Sequence, residues 1–287
     1  MRTPLILAFV LSAFAANSLL TRAGVAGGAD PLAFAAFRAV SAAAILLVLL
    51  IWRGRKRWPS EEASRPSVSW RPGLPALWLA IYLLGFSFAY EGTDAGTGAL
   101  ILFGTVQVVM FAAALSERPG PRRWAGTALA LGGLALLAGG AATPVAVAAM
   151  TAAGAGWAFF TLAGRRSADP LSDTAAAFVH ASGPLALVWL LVGGGGLSAP
   201  AAALALASGA VASGLGYAAW YAVLPRLEKS FAALLQLSVP ALALIAAWPL
   251  LAEVPTPRSL AACALILGGV AFGLVAPARR RIGPRGS

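Results

Sequence analysis

Long apolar stretches alternate with short polar punctuation along the whole chain. Ten stretches stand out, at 4–22, 31–52, 73–91, 96–116, 122–139, 145–163, 172–192, 201–221, 230–251 and 258–277. About 20 consecutive apolar residues, coiled as a helix, reach across the hydrocarbon core of a bilayer. A helix also satisfies every backbone N–H and C=O internally, which lipid cannot do for it. The pattern therefore predicts an all-α membrane protein with ten transmembrane helices. Only the connection 53–72 is long, and it is polar and Pro-rich, so no soluble domain is expected. The first stretch, with Arg2, an apolar run and "AFAANS", has the outline of a secretory signal. It is read as a retained first helix, because its removal would break the symmetry described below.

Composition sharpens this reading. Hydrophobic residues make up 60% of the chain and charged residues only 11%, with mean hydropathy +0.82. Soluble domains carry about 25% charged residues, so a bilayer is the solvent that suits this chain. The net charge of +11 raises the possibility of nucleic acid. The basic residues, however, sit between apolar runs, where a membrane protein keeps its cytoplasmic anchors. With the N-terminus cytoplasmic, only Arg22 and Arg258 of the 21 Lys and Arg fall outside, and Arg38 lies within a span. This bias predicts a multi-pass protein of the bacterial inner membrane with both termini cytoplasmic and no nucleic-acid partner. The basic tail "RRRIGPRGS" is expected to touch anionic headgroups.

The chain also repeats itself. "ERPGPRRWAGTALALGG" at 117–133 aligns with "EVPTPRSLAACALILGG" at 253–269 at a constant offset of 136. Glu117 meets Glu253, Pro119 meets Pro255, Pro121 meets Pro257 and Arg122 meets Arg258, and the Gly132–Gly133 pair meets Gly268–Gly269. Asp30–Pro31 likewise echoes Asp169–Pro170. Residues 1–140 and 141–287 thus read as two copies of a five-helix unit. Five is odd, so the copies must enter the membrane in opposite directions. Inverted repeats of this kind enclose a central cavity near the bilayer midplane and alternate its access.

The Glu-Pro hairpins with their Gly-Gly helices, together with "PLAFAAFRAVSAAAILL" in the second stretch, resemble the ten-helix, EamA-type branch of the drug/metabolite transporter superfamily. The resemblance covers nearly the whole chain. It implies a secondary transporter that exports small metabolites. The aromatic-rich interior resembles the aromatic amino acid exporter group, which points to amino acids as cargo. Other metabolites or drugs, such as nucleosides or cationic compounds, are the alternative cargo, and a non-transporting membrane scaffold or a membrane enzyme is the rival reading.

Polar groups inside hydrocarbon are costly and draw attention to candidate sites. Asn17, Gln107, Gln236 and His180 fall within spans. Each amide either bonds a neighbouring helix or holds a substrate in a wet cavity. Gln236 stands four residues before Pro240, where a missing backbone hydrogen bond can kink a helix beside a site. Aromatics recur at helical spacing. Trp78, Tyr82 and Phe86 share a stripe, as do Ser213, Tyr217 and Trp220, and Trp157 shares a face with Phe160. Trp157, Tyr217, Tyr82, Phe103, Phe160 and Trp220 are candidate pocket walls, while Trp52, Trp58, Trp70 and Trp124 read as interfacial anchors. The expected cavity is lined by the first, third, fourth, sixth, eighth and ninth helices.

Arg38 is expected to be structural, its stem snorkelling outward or its head pairing inside the first repeat. His180 invites a proton-coupling role, the imidazole being the side chain that changes charge near neutral pH. A satisfied interhelical hydrogen bond on a peripheral helix is the preferred reading. Asp30, Glu91, Asp94, Asp169, Asp173, Glu117 and Glu253 all fall near span ends, so no mid-span carboxylate supports strict proton antiport. One cysteine, Cys263, and one histidine cannot build a zinc site. No Walker sequence is present, and "GGGG" at 193–196 reads as a loop. No metal or cofactor is expected, and no acid–base cluster argues for an enzyme. The expected partners are a small molecule and the lipid bilayer. Sequence leaves the oligomeric state open.

Overall fold

The computed structural model describes residues 2–56, 73–114, 120–137, 142–165, 167–252 and 254–274. The polar connection, the first Glu-Pro turn with Glu117, Arg166, Glu253 and the basic tail lie outside the described residues.

The described residues are helical, without strands. The first seven helices are α1 (Arg2–Ala26), α2 (Pro31–Lys56), α3 (Leu74–Ala89), α4 (Ala95–Ala114), α5 (Pro121–Leu137), α6 (Pro144–Gly164) and α7 (Pro170–Leu191). The eighth expected span is composite: α8 (Ala199–Ala207), a π-helical stretch (Ser208–Leu215), α9 (Gly216–Val223) and a closing 3-10 turn (Leu224–Arg226). The ninth is divided at Leu237 into α10 (Lys229–Gln236) and α11 (Ser238–Leu251), and α12 (Pro257–Leu274) follows. Pro240 accounts for the division. Its missing N–H leaves the carbonyl of Gln236 without the usual i−4 donor.

Six helical runs are long and apolar enough to cross a bilayer, starting at Thr3, Pro31, Pro144, Pro170, Ala199 and Lys229. Leu74–Ala89, Ala95–Met110 and Pro257–Gly273 are apolar but shorter. At about 1.5 Å per residue, the 16 residues of α3 fall short of the roughly 30 Å core.

Proline opens many of these helices, because its absent N–H is one that a helix start leaves unpaired anyway. Side-chain caps supply the remaining acceptors. Asp30 takes the N–H of Ala33 at 2.6 Å, Asp94 takes that of Thr97 at 2.6 Å, and Asp169 takes that of Ser172 at 3.4 Å. The two Asp-Pro phrases are thus equivalent helix starts.

α3 packs on α6, α2 on α7, α4 on α6, and α1 against the α8–π–α9 rod and α11. α5 and α12 cross closely along much of their length. A Cβ placed at Gly133 would sit 2.8 Å from the Ala262 carbonyl oxygen, and one at Gly269 would sit 2.6 Å from that of Gly126. Only glycine permits this approach. As the residue number rises along α5 it falls along α12, so the two helices run antiparallel.

Basic side chains bind at both ends of the bundle. At one end Arg53 pairs with Asp169, Arg123 with Glu228, Lys229 with the Ala113 carbonyl, and Arg165 with the Leu224 carbonyl. At the other, Arg22 donates to the Tyr90 carbonyl at 3.0 Å and Arg258 to that of Leu136 at 2.7 Å. The two arginines that broke the charge bias in the sequence therefore lie at the opposite end from the rest of this set.

Candidate functional site

Aromatic rings from four separate helical elements converge at the centre of the bundle. Phe14 comes from α1, Tyr82 from α3, Trp157 from α6 and Tyr217 from α9. The Trp157 ring lies 4.7 Å from that of Tyr217, 5.3 Å from that of Tyr82 and 5.2 Å from that of Phe14. Phe14 meets Trp157 edge-on at 87°, the geometry in which a ring's positive edge faces another's negative face. The four rings enclose a small cavity, further lined by Asn17, Ser18, Phe86, Leu102 and Phe103. It measures about 10 Å³ and holds no more than about one water. The site is closed.

Trp157 is fastened by its own hydrogen bond. Its indole Nε1 donates to Gln236 Oε1 at 2.7 Å, where both residues are buried. Gln236 thus sets the orientation of a cavity wall and does not line the cavity itself. Its place beside the α10–α11 break directs the amide toward α6.

Arg38 supplies the main difference from the sequence reading. Of the two expectations, a stem snorkelling outward or a head pairing inside the first repeat, the head turns inward, fully buried at 0% exposure, and its partners extend beyond the first repeat. Nε donates to Ser213 Oγ at 2.9 Å, and Nη2 donates to Tyr82 Oη at 2.8 Å and Tyr217 Oη at 3.1 Å. The guanidinium carbon also lies 5.1 Å from the Tyr82 ring centre and 5.2 Å from that of Phe86. Three hydroxyl acceptors and two aromatic faces hold the head inward. An arginine at the centre of a span costs about 2.5–3.5 kcal/mol on insertion scales, an upper figure for Arg38 near the start of α2, and hydrogen bonds to a charged group contribute about 1.5–3 kcal/mol each. The network therefore offsets the burial without an ion pair. Its acceptors come from the first half through Tyr82 and from the second through Ser213 and Tyr217, so Arg38 joins both halves.

The π-helical stretch brings Ser208 and Ser213 to this network. Ser208 Oγ donates to Asn17 Oδ1 at 2.7 Å, and Ser213 Oγ lies 3.4 Å from the same oxygen. π-helical turns inside α-helices concentrate at functional sites. A Cβ at Gly209 would fall 2.2 Å from the Arg38 carbonyl oxygen, so α2 and the π stretch touch backbone to backbone.

The remaining candidates are spread around this centre. Phe103 lines the cavity. Trp220 is buried behind Phe14, with ring centres 5.8 Å apart, and does not line it. Gln107 is buried with neither amide atom hydrogen-bonded and also lies off the cavity. Phe160 sits 6.1 Å from Trp157 and 5.3 Å from Tyr221. Beyond those two rings opens a vestibule of about 330 Å³. It lies at the end of the bundle where α3 and α7 begin, and Pro75, Gly164, Asp173, His180 and Tyr221 are among its walls. His180 was expected to make an interhelical hydrogen bond. Instead it lines this vestibule and its Nε2 has no partner.

Sequence reading passed over Phe14, Ser208 and Tyr221. Phe14 stands three residues before Asn17 on the same helical face, and Tyr221 stands four after Tyr217. Those spacings were the available signal. Nothing in the sequence announces the π geometry that presents Ser208.

Apolar, membrane-length helices packed around a buried aromatic and polar centre beside an open vestibule define a multi-pass membrane protein. The profile of the EamA-like transporter family matches residues 3–139 and again 142–275, and the chain belongs to that family. It is thereby a membrane transporter of small molecules. An uncharacterized protein of Pseudomonas aeruginosa is 43% identical over 293 residues, covering 100% of this chain and 99% of its own length. The crystal structure of another protein superposes with a TM-score of 0.74 at 19% identity, covering 96% of this chain and 98% of the other. That likeness concerns the fold alone.

Proposed function

We propose that this transporter exports small metabolites, amino acids including aromatic ones above all, across the bacterial inner membrane by alternating access. Two five-helix halves, residues 1–140 and 141–287, run in opposite directions and close alternately on the aromatic centre, with both termini cytoplasmic. The observation that carries the reading is the ring of Phe14, Tyr82, Trp157 and Tyr217 around a small cavity, with Phe160 packed near Trp157 on one side and in the vestibule wall on the other. Aromatic walls suit an aromatic side chain by stacking and an ammonium group by cation–π attraction. Asn17 and the tyrosine hydroxyls take the polar end of the molecule, and Phe103 joins the aromatic walls. Gln236 and Trp220 hold the walls, Gln107 stands in reserve on α4, and Pro240 supplies the hinge in the ninth span. His180 attends the vestibule.

The inverted arrangement draws support from the α5–α12 crossing. At the offset of 136, Gly126 corresponds to Ala262 and Gly269 to Gly133. The Gly126–Gly269 contact therefore maps onto the Gly133–Ala262 contact with its partners exchanged. A two-fold axis between antiparallel helices produces that exchange.

Counterflow of radiolabelled L-phenylalanine into proteoliposomes preloaded with unlabelled amino acid tests the reading. Accumulation above empty liposomes is expected, with Trp157→Phe retaining part of the flux and Trp157→Ala losing at least tenfold. Flux of a nucleoside or a quaternary ammonium dye, with none of any amino acid, would replace the amino-acid reading.

A further inference from the structure

Arg38 carries a full positive charge into the centre of the bundle, and none of the ion pairs among the described residues includes it. Its Nη1 has no hydrogen-bond partner. The hydrogen-bonding capacity around it is one-sided. Tyr82 and Tyr217 each accept from Nη2 through their phenol oxygens, and their hydroxyls also bond to each other across the two halves, so the phenol O–H groups become free to donate when the halves part. A phenol that accepts from a guanidinium is polarised and becomes a stronger donor. Asn17 has its carbonyl oxygen taken by Ser208, while its amide Nδ2 has no partner. Ser18 also lines the cavity with an unpartnered hydroxyl. No carboxylate lines the cavity. Its polar atoms are therefore predominantly donors, backed by one uncompensated cation.

Such a set complements lone pairs and a single negative charge. We propose that Arg38, acting through the hydroxyls of Tyr82 and Tyr217 and joined by the Asn17 amide, is the receptor for a carboxylate on the transported molecule. This rests on the reading of the aromatic centre as the transport site. The rings of Phe14 and Trp157 then receive the remainder of the molecule. When the halves part, the carboxylate accepts hydrogen bonds from the phenol O–H groups in place of the bond between them and comes within range of the guanidinium. The charge of Arg38 is compensated only while cargo is bound. Loaded and empty sites thus differ in electrostatic stability, and the difference favours closure around a carboxylate over closure around an uncharged analogue.

Wild-type protein tests this without any substitution. Unfolding midpoints in detergent, and inhibition of phenylalanine counterflow in liposomes, are measured with L-phenylalanine, 3-phenylpropionate, L-phenylalaninamide and sodium chloride. The expected result is that phenylalanine and phenylpropionate both stabilise and inhibit, with phenylalaninamide at least tenfold weaker. Tyr82→Phe with Tyr217→Phe keeps the rings and removes the donors. This pair should raise the KM for phenylalanine about tenfold or more and narrow the gap between acid and amide. Arg38→Gln should abolish the gap wherever folded protein is recovered. Equal potency of acid and amide in wild type overturns the carboxylate receptor and leaves amino-acid transport standing. Stabilisation by chloride alone, with no further effect of the acids, also overturns it, because a resident inorganic anion would then be the counter-charge. No response to any of the three aromatic compounds in either assay removes the amino-acid reading and this inference together.

Discussion

A buried guanidinium and a buried indole show how individual side chains hold the site. Arg38 had an outward route along its own stem, but Ser213, Tyr82 and Tyr217 offered acceptors within 3.1 Å on the inward side. A charged head with three hydroxyl partners stays where they are. Trp157 is held more simply, by the Gln236 amide oxygen at 2.7 Å. Trp157→Phe keeps a ring in the stack but leaves that oxygen buried and unpaired, at a cost of about 1–3 kcal/mol. Trp157→Phe combined with Gln236→Leu should recover part of the loss. A double-mutant cycle on unfolding in detergent measures the coupling, and strictly additive effects would show that the bond contributes nothing. The stripes through Tyr82, Trp157 and Tyr217 were legible from spacing alone. The inward turn of Arg38 was not, because its partners stand 44, 175 and 179 positions away along the chain.

Pairs of elements reveal a second division of labour. The α5–α12 crossing relies on backbone contact at Gly126, Gly133 and Gly269 and lies away from the aromatic centre. Gly269→Val inserts side-chain carbons where only hydrogen fits, and overpacking of this kind costs about 1–3 kcal/mol. The unfolding midpoint should fall while the KM per folded molecule stays unchanged; an altered KM would place this crossing in the transport cycle. The composite α8–π–α9 rod works differently, because its irregularity presents Ser208 and Ser213 to the site. The apolar pattern predicted one uniform helix there. Small residues in "SGAVASGL" fit an α-helix and a π-helix equally well, so packing against α1 and α2 selects between them.

Contacts that span the bundle join its two halves. Arg53 at the end of α2 makes a bidentate pair with Asp169 at the start of α7, at 2.7 and 2.6 Å. Hydrogen bonding from Arg53, helped by Ser172, lowers the Asp169 carboxyl to about 2. An unperturbed aspartate titrates at about 3.9. A folded-state value below the unfolded one stabilises the ionised form. The contribution is complete above about pH 4 and is lost as pH falls toward about 2. The wild-type unfolding midpoint should drop across that window, and Asp169→Asn should start lower and drop less. Equal slopes for both proteins would remove Asp169 from the acid response. The direction of insertion has its own check. With Cys263→Ala as background, Arg122→Cys and Arg258→Cys stand at equivalent places in the two copies. An impermeant maleimide should label them from opposite faces of the membrane, and labelling from one face would end the inverted reading.

Membrane residence, helical character and the positions of the helix starts followed from the sequence, because they depend on local composition, on proline and on caps within a few residues. The 136-residue echo was equally local, being a comparison of the chain with itself. The tertiary structure decided which buried polar groups meet. It turned Arg38 inward, set Gln236 to hold Trp157, left His180 beside a vestibule, and gathered Phe14 with three aromatics from other helices. A periodic pattern states which face of a helix is apolar or polar. The identity of the partner depends on helix crossings, which the packing of distant side chains and glycines determines.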